Sequence, residues 1–252
     1  MTGSLMAIVL AAGKGTRMES ELPKVLFPVL KRPMIDYVLD VLEAAGVSKT
    51  AVVVGYRSQD VIVALEPRED LVFVEQNQQL GTGHAVMMCR QVIADHVGPV
   101  LIVTGDSPLI QLDSVKKLQE HFRSENLDCL LGTLKKDDPA GLGRIVRNDK
   151  REFTGIVEEK DATEAQRRIC EVNMSVYLFQ PQALLQSLDQ IDNRNRQSEY
   201  YITDCPGILK QAGHRVDALA VLKPCEALSI NCVEDVPPVE AALINQGDSD
   251  RT

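Results

Sequence analysis

Leu5-Met-Ala-Ile-Val-Leu-Ala-Ala-Gly-Lys-Gly-Thr-Arg17 runs through an unbroken apolar stretch to Ala12 and then turns polar around two glycines. A short continuous apolar run ended by glycine predicts a strand buried on both faces, the kind found in parallel sheets. No basic n-region precedes it, so it reads as a core strand and not as a signal peptide. The glycines let the backbone turn sharply and bring its N–H groups close to an anion, a concave nest suited to phosphate. The spacing fits neither a Walker A loop nor a GxGxxG dinucleotide fingerprint. A plain tight turn explains the two glycines equally well.

Downstream of this stretch, apolar strand-like runs alternate with segments of helical period. After Pro33, residues Met34, Ile35, Val38, Leu39, Leu42 and Ala45 share one helical stripe that stops at Gly46. Strands are predicted over 50–55, 72–76 and 99–104, and helices over 60–65, 82–94 and around Val115, Leu118 and Phe122. Such alternation predicts a parallel sheet with helices on both faces, a Rossmann-like three-layer α/β/α sandwich. From about Cys129 the pattern changes to β-rich segments at 145–147, 153–158 and 172–179, read as a small insertion closing over a site. The alternation returns with 181–188, 201–211 and 215–221, and the polar residues 245–252 are expected to fray.

In sheets of this kind ligands bind at the carboxyl ends of the strands. That rule selects three loops: 11–16, 76–83 and 105–109. Residues 14–32 carry Lys14, Arg17, Lys24, Lys31 and Arg32 against Glu19 and Glu21, on a chain of formal charge −9. A local basic stretch on an acidic chain fits a small anion such as a nucleotide, and the overall charge excludes a general nucleic-acid binder. In Gln76-Asn-Gln-Gln-Leu-Gly-Thr-Gly-His84, amide side chains suit the edge of a nucleobase. Thr82 is equally placed for a helix N-cap, and His84 reads as a structural hydrogen-bonder. In Thr104-Gly-Asp-Ser-Pro-Leu109, Asp106 stands just past a buried strand, a position fit for Mg²⁺ or for an Asx-turn. The segment 141–161, with its carboxylates and Lys160, is either a solvated hairpin face or a set of sugar-hydroxyl partners.

The six cysteines contain no CxxC. They carry neither zinc spacing nor a disulfide framework, and reduced thiols in a cytoplasm are expected. No apolar run approaches the roughly 20 residues of a membrane helix.

Read together, LAAGKGTRMESELPKVLFPV, QNQQLGTGHAV, GDSPLI, GLGRIVR, GIVEEKDAT, EVN and EYYITD resemble, in order and spacing, the uridyltransferase (pyrophosphorylase) domain of the bifunctional N-acetylglucosamine-1-phosphate uridyltransferases. The resemblance spans about residues 5–231. It implies the nucleotide-diphospho-sugar transferase fold and Mg²⁺-dependent transfer of a uridylyl group from UTP to a hexosamine 1-phosphate. By that resemblance Leu10, Ala11, Ala12, Gly13 and Gly105 lie along the nucleotide, and Gln76, Gly81 and Thr82 read the uracil. Arg17 steadies the leaving pyrophosphate and Lys24 the transferred phosphate, while Asp106 and Asn231 match the metal ligands. Gly143, Glu158 and Asn173 match positions that hold the amino sugar, with Tyr201 and Thr203 beside it. One domain over 1–252 is expected, with a nucleotide-binding half to about 128 and a sugar-binding half over about 129–235.

Two residues depart from the family pattern, Ser175 and Ser229, each standing where glycine is usual. Ser175 either reshapes the sugar pocket or lies harmlessly on the outer side of a strand. The sequence also holds no hexapeptide repeat of the kind that builds the family's acetyltransferase β-helix and trimer. A monomer or weak oligomer is therefore expected, and the tail after Asn231, with Val236-Pro-Pro-Val239, is read as lacking the family's long linker helix. A different sugar, a cytidylyl donor, and a catalytically silent nucleotide-sugar-binding regulator are the alternatives. A dehydrogenase fails on loop spacing and on the lack of an acidic residue after the second strand.

Overall fold

A computed structural model describes residues 3–247. The apolar opening run forms β1 (Leu5–Leu10), and the basic stretch after it holds two 3₁₀ turns, Thr16–Met18 and Lys24–Leu26. A short ribbon, β2 (Pro28–Val29) with β3 (Arg32–Pro33), leads into α1 (Met34–Ala44), which ends before Gly46 as its apolar period requires. Then come β4 (Val47–Val54), α2 (Ser58–Leu65), β5 (Leu71–Glu75), α3 (Thr82–Met88), α4 (Arg90–Ala94), β6 (Val100–Thr104) and α5 (Leu112–Ser124). The second half contains β7 (Cys129–Lys135), β8 (Arg144–Arg147), β9 (Phe153–Val157), α6 (Glu164–Arg167), β10 (Glu171–Phe179), α7 (Pro181–Leu188), α8 (Asp204–Gln211), β11 (Val216–Ala220) and α9 (Val236–Asn245).

The main path of the sheet runs β11-β7-β10-β6-β1-β4-β5, with β8 and β9 as a side branch on β10. Alternate residues of each central strand enter opposite core layers. Leu5, Ala7 and Val9 of β1 pack with α1, α2 and α5, whereas Met6 and Ile8 pack with α3, α4, α7 and α8. β6 divides in the same way, Leu101 and Val103 against Val100 and Ile102. Each of these side chains larger than alanine contributes about 1.5–3 kcal/mol when removed from water. The expected α/β/α sandwich is therefore present.

Three expectations need correction. The sheet is mixed and not parallel: β10 runs antiparallel to both β6 and β7, because the chain returns from β7 through the β8–β9 hairpin and not through a helical crossover. The helix expected over 82–94 is two helices, since Cys89 takes φ −85, ψ 6 and its N–H bonds Val86 O. The helix expected to begin near Tyr201 begins at Asp204, which leaves 201–203 as a turn.

The residues after Asn231 also form a helix. α9 buries Val236, Val239 and Leu243 in a third cluster with Met18, Val29, Met34, Tyr37, Leu109 and Ile230. Of the tail expected to fray, Asn245 closes α9 and residues 248–252 lie outside those described. The path to Asn231 is anchored by Glu226, a buried carboxylate in the 3₁₀ turn Pro224–Ala227. It accepts from Gln111 N at 3.0 Å, Ser114 Oγ at 2.6 Å and Lys223 N at 2.7 Å, tying this turn to the start of α5.

Glu226→Ala removes the acceptor of three donors in a dry setting. The expected cost is about 2–3 kcal/mol of folding stability in urea unfolding, and a loss below about 0.5 kcal/mol would contradict the anchoring role.

Candidate active site

The segment after β1 is held between its neighbours. Ala11 N donates to Val53 O at 2.9 Å, Tyr56 N to Ala12 O at 3.1 Å and Gly105 N to Leu10 O at 2.9 Å. These bonds fix Leu10–Ala12 as extended backbone at the carboxyl edge of the sheet. Beyond it, the N–H groups of Gly13, Lys14 and Gly15 donate to no protein acceptor among the described residues. Gly15 is needed for shape: its φ is +64, and a Cβ there would lie 2.7 Å from Lys24 Cβ. The loop thus rests on the Lys24 stem and lines a cleft of about 580 Å³.

The cleft gathers five parts of the chain. The first loop supplies Leu10 to Arg17, Lys24 and Val25; the second supplies Gln76, Gln79, Gly81 and Thr82; Thr104, Asp106, Glu199 and Asn231 complete it. Lys24 pairs closely with the Asp106 carboxylate, and its Nζ also donates to Asn231 Oδ1 at 3.0 Å. Arg17 Nη2 donates to the same Oδ1 at 3.4 Å. A backbone bond from Ile230 N to Asp106 O, at 3.5 Å, ties the two loops together. Asp106 therefore does not stand in an isolated Asx-turn.

Asp106 and Asn231 offer a carboxylate and an amide oxygen, the hard donors that Mg²⁺ takes alongside water and phosphate. Lys24 Nζ already spans both, so the geometry gathers the pair around one positive charge. Among the described residues no group of three or more His, Cys, Asp or Glu side chains is placed to hold a metal ion. A cation here would complete its shell with water or with the oxygens of a bound substrate.

At the other end of the cleft, Gln76 is buried and its Nε2 is shared between Gly81 O at 3.1 Å and His84 Nδ1 at 3.0 Å. Both amide hydrogens are thereby committed, leaving Oε1 as an acceptor. His84 has the structural role expected of it. Thr82 does not cap its helix: Gly81 holds the cap position at φ +107, and Thr82 Oγ1 accepts from Ile202 N at 3.2 Å. A Cβ on Gly81 would lie 2.5 Å from Tyr200 O, so glycine lets the two loops touch.

The residues matched to the sugar form a second group. Thr203 Oγ1 donates to Glu158 Oε1 at 2.8 Å, and Asn173 N donates to Gly143 O at 2.8 Å. A Cβ on Gly143 would lie 3.5 Å from Asn173 Cβ and 3.6 Å from Glu158 Oε2. Glu158 and Tyr201 line a smaller cleft with Asp161, Asp192 and Asp204. The stretch Glu199–Thr203 joins the two regions: Glu199 faces the large cleft, and Tyr200 O accepts from Gly83 N at 2.7 Å. Gln79, Glu199 and Thr104 were not singled out from the sequence. All three belong to motifs that were, but neither spacing nor period distinguishes them from their neighbours.

Ser175 lies in a bulge of β10 between Asn173 and Val176, with φ +55. A bulge of this sort favours glycine at its left-handed residue. The conformation explains why serine is unusual there. Its N–H donates to Asn173 Oδ1 at 3.3 Å, while Asn173 Nδ2 donates to Tyr177 Oη at 2.7 Å. The bulge therefore fixes the orientation of Asn173.

Residues 7–199 match the MobA-like NTP transferase domain. The chain belongs to this family. It is 41% identical over 239 residues to the bifunctional protein GlmU of Alkaliphilus oremlandii, covering 95% of this chain and 52% of that protein. With the bifunctional protein GlmU of Streptococcus sanguinis it shares 43% identity over 226 residues, covering 89% and 49%. The chain thus spans about half the length of the curated relatives it matches. In fold it is similar to a UDP-glucose pyrophosphorylase solved with UDP-glucose, with a TM-score of 0.78 at 18% identity over 96% of this chain and 99% of that one. This nucleotidyltransferase has no helix among its described residues long and apolar enough to cross a membrane.

Its acidic side region has a pH consequence. Burial first, then Glu158, Asp192 and Asp161, push the Asp204 carboxyl up from 3.8 to about 6. Burial likewise raises Glu158, against the Thr203 bond that lowers it. A folded-state carboxyl pKa above its unfolded value means that folding binds a proton between the two, so stability falls as pH rises through that window. Asp204→Asn is expected to raise melting temperature relative to wild type increasingly between pH 4 and 7. A difference that does not change with pH would contradict the burial of that charge.

Proposed function

We propose that this chain transfers a uridylyl group from UTP to N-acetylglucosamine 1-phosphate, giving UDP-N-acetylglucosamine and pyrophosphate. The observation that carries the reading is the convergence of Lys24, Asp106 and Asn231 beside a loop whose backbone donors are unspent. Half of each GlmU relative, the share this chain spans, supports the same class of chemistry. We read residues 1–252 as one domain, with the triphosphate side in about 1–128 and the sugar side in about 129–235.

In this reading an oxygen of the sugar 1-phosphate attacks the α-phosphorus of UTP. A bond forms there as the bond to the bridging β-phosphate oxygen breaks, and pyrophosphate departs with the electron pair. No protein nucleophile is needed, so the chain's task is to align the reactants and balance charge. Free N–H groups at Gly13 to Gly15 receive phosphate oxygens, and Arg17 faces the departing pyrophosphate. Lys24, turning from its protein partners, neutralises charge on the transferred phosphate. Mg²⁺ held by Asp106 and Asn231 would neutralise the remaining phosphate charge. Glu158, Asn173 and Gly143 hold the sugar, with Tyr201 and Thr203 at its edge.

Gln76 favours uracil over cytosine. With both amide hydrogens directed at Gly81 O and His84 Nδ1, its Oε1 meets a donor. Uracil presents N3–H, whereas N3 of cytosine is an acceptor and would be left facing another acceptor. A non-catalytic regulator would be expected to have lost a charged member of the site, yet Arg17, Lys24 and Asp106 stand together.

Pyrophosphate release from UTP, Mg²⁺ and a panel of sugar 1-phosphates tests the reaction. The fastest release is expected with N-acetylglucosamine 1-phosphate, and little with CTP; silence with every sugar phosphate would overturn the reading. Lys24→Ala is expected to lower kcat about 10²–10³-fold, and an unchanged kcat would remove Lys24 from the chemistry.

A further inference from the structure

Asn231 is a two-faced ligand. Its side-chain amide ends in an oxygen that can bind a cation and an NH₂ that repels one, and a 180° turn about the last bond exchanges them. A carboxylate has no such ambiguity. Oδ1 faces Lys24 Nζ at 3.0 Å and Arg17 Nη2 at 3.4 Å. On the other side Nδ2 donates to Ser229 Oγ at 3.1 Å. The backbone beneath is held independently, since Asp235 Oδ2 accepts from Asn231 N at 2.7 Å and Cys232 N at 3.0 Å. Asp235 thus places the residue, and Ser229 is the partner that holds its NH₂ side.

We propose that Ser229 is a positioning residue: its hydroxyl accepts the Asn231 NH₂ and so holds Oδ1 toward the bound cation. This rests on reading Asn231 as a metal ligand. A residue without a side-chain acceptor at position 229 leaves the NH₂ without that partner. The flipped amide then points its hydrogens at the cation for part of the time. Partners that orient a metal ligand typically change metal affinity about 10–100-fold when removed.

The test is equilibrium Mn²⁺ binding to the full chain in the presence of UTP, followed by the EPR signal of free Mn²⁺ and corrected for the Mn²⁺–UTP complex. Ser229→Ala is expected to weaken binding about 10-fold, and Ser229→Thr, which keeps the hydroxyl, to restore most of it. The decisive arm is Asn231→Asp. Two oxygens make orientation irrelevant, so adding Ser229→Ala to Asn231→Asp should cause no further loss. Equal losses from Ser229→Ala in both backgrounds would overturn the proposal and make the serine merely structural. No loss in the Asn231 background would overturn it too. Asn231→Ala separates the two claims: unchanged Mn²⁺ binding there overturns the metal reading together with this proposal. Weakened binding there, with Ser229→Ala silent, overturns the proposal alone.

Discussion

Asp106 and Asn231, from distant parts of the chain, turn a carboxylate oxygen and an amide oxygen toward one positive charge. Lys24 supplies that charge, and through it the first loop, the end of β6 and the segment before α9 become one object. Much of the surrounding architecture serves this meeting. Gly15 lets the loop rest on the lysine stem, Glu226 anchors the approach to Asn231, and α9 packs Ile230 into a core with Met18 and Leu109. An ammonium group and a divalent ion answer the same electrostatic need. In the proposed reaction that equivalence would free the lysine for phosphate once another cation arrives.

The first half of the fold was legible because its signals are local. A doubly buried strand reads as a continuous apolar run, and α1 as a stripe of period 3.6 stopped at Gly46. Loops after such strands lie at the carboxyl edge of the sheet, which marks 11–16, 76–83 and 105–109 and, in the last, Asp106; the family resemblance then named Ala11 to Gly13, Gln76 and Gly81. Eleven of the residues singled out line one cleft: Leu10, Ala11, Ala12, Gly13, Arg17, Lys24, Gln76, Gly81, Thr82, Asp106 and Asn231.

What stayed hidden depends on direction and on long-range contact. Alternating apolar runs do not state whether a strand runs up or down, so the antiparallel course of β10 was missed. The capping role open to Thr82 was taken by its neighbour, because contact with Tyr200 and Ile202 decides that turn. Ser175 and Ser229 were visible only as departures from a pattern. The first proves to be a left-handed bulge residue, and the second a hydrogen-bond partner of Asn231. Neither fact can be read from residue type and spacing.

The claim at the centre is that one cleft binds a uridine nucleotide by its base at Gln76 and by its phosphates at Lys24, with a metal ion between Asp106 and Asn231. A crystal structure of the chain with Mg²⁺ and UDP-N-acetylglucosamine tests it most directly. The account predicts Gln76 Oε1 accepting from uracil N3–H, Lys24 Nζ on a phosphate oxygen, and Asp106 and Asn231 Oδ1 on the metal. A nucleotide bound elsewhere, or a metal ion that leaves Lys24 still joined to both Asp106 and Asn231, would contradict it.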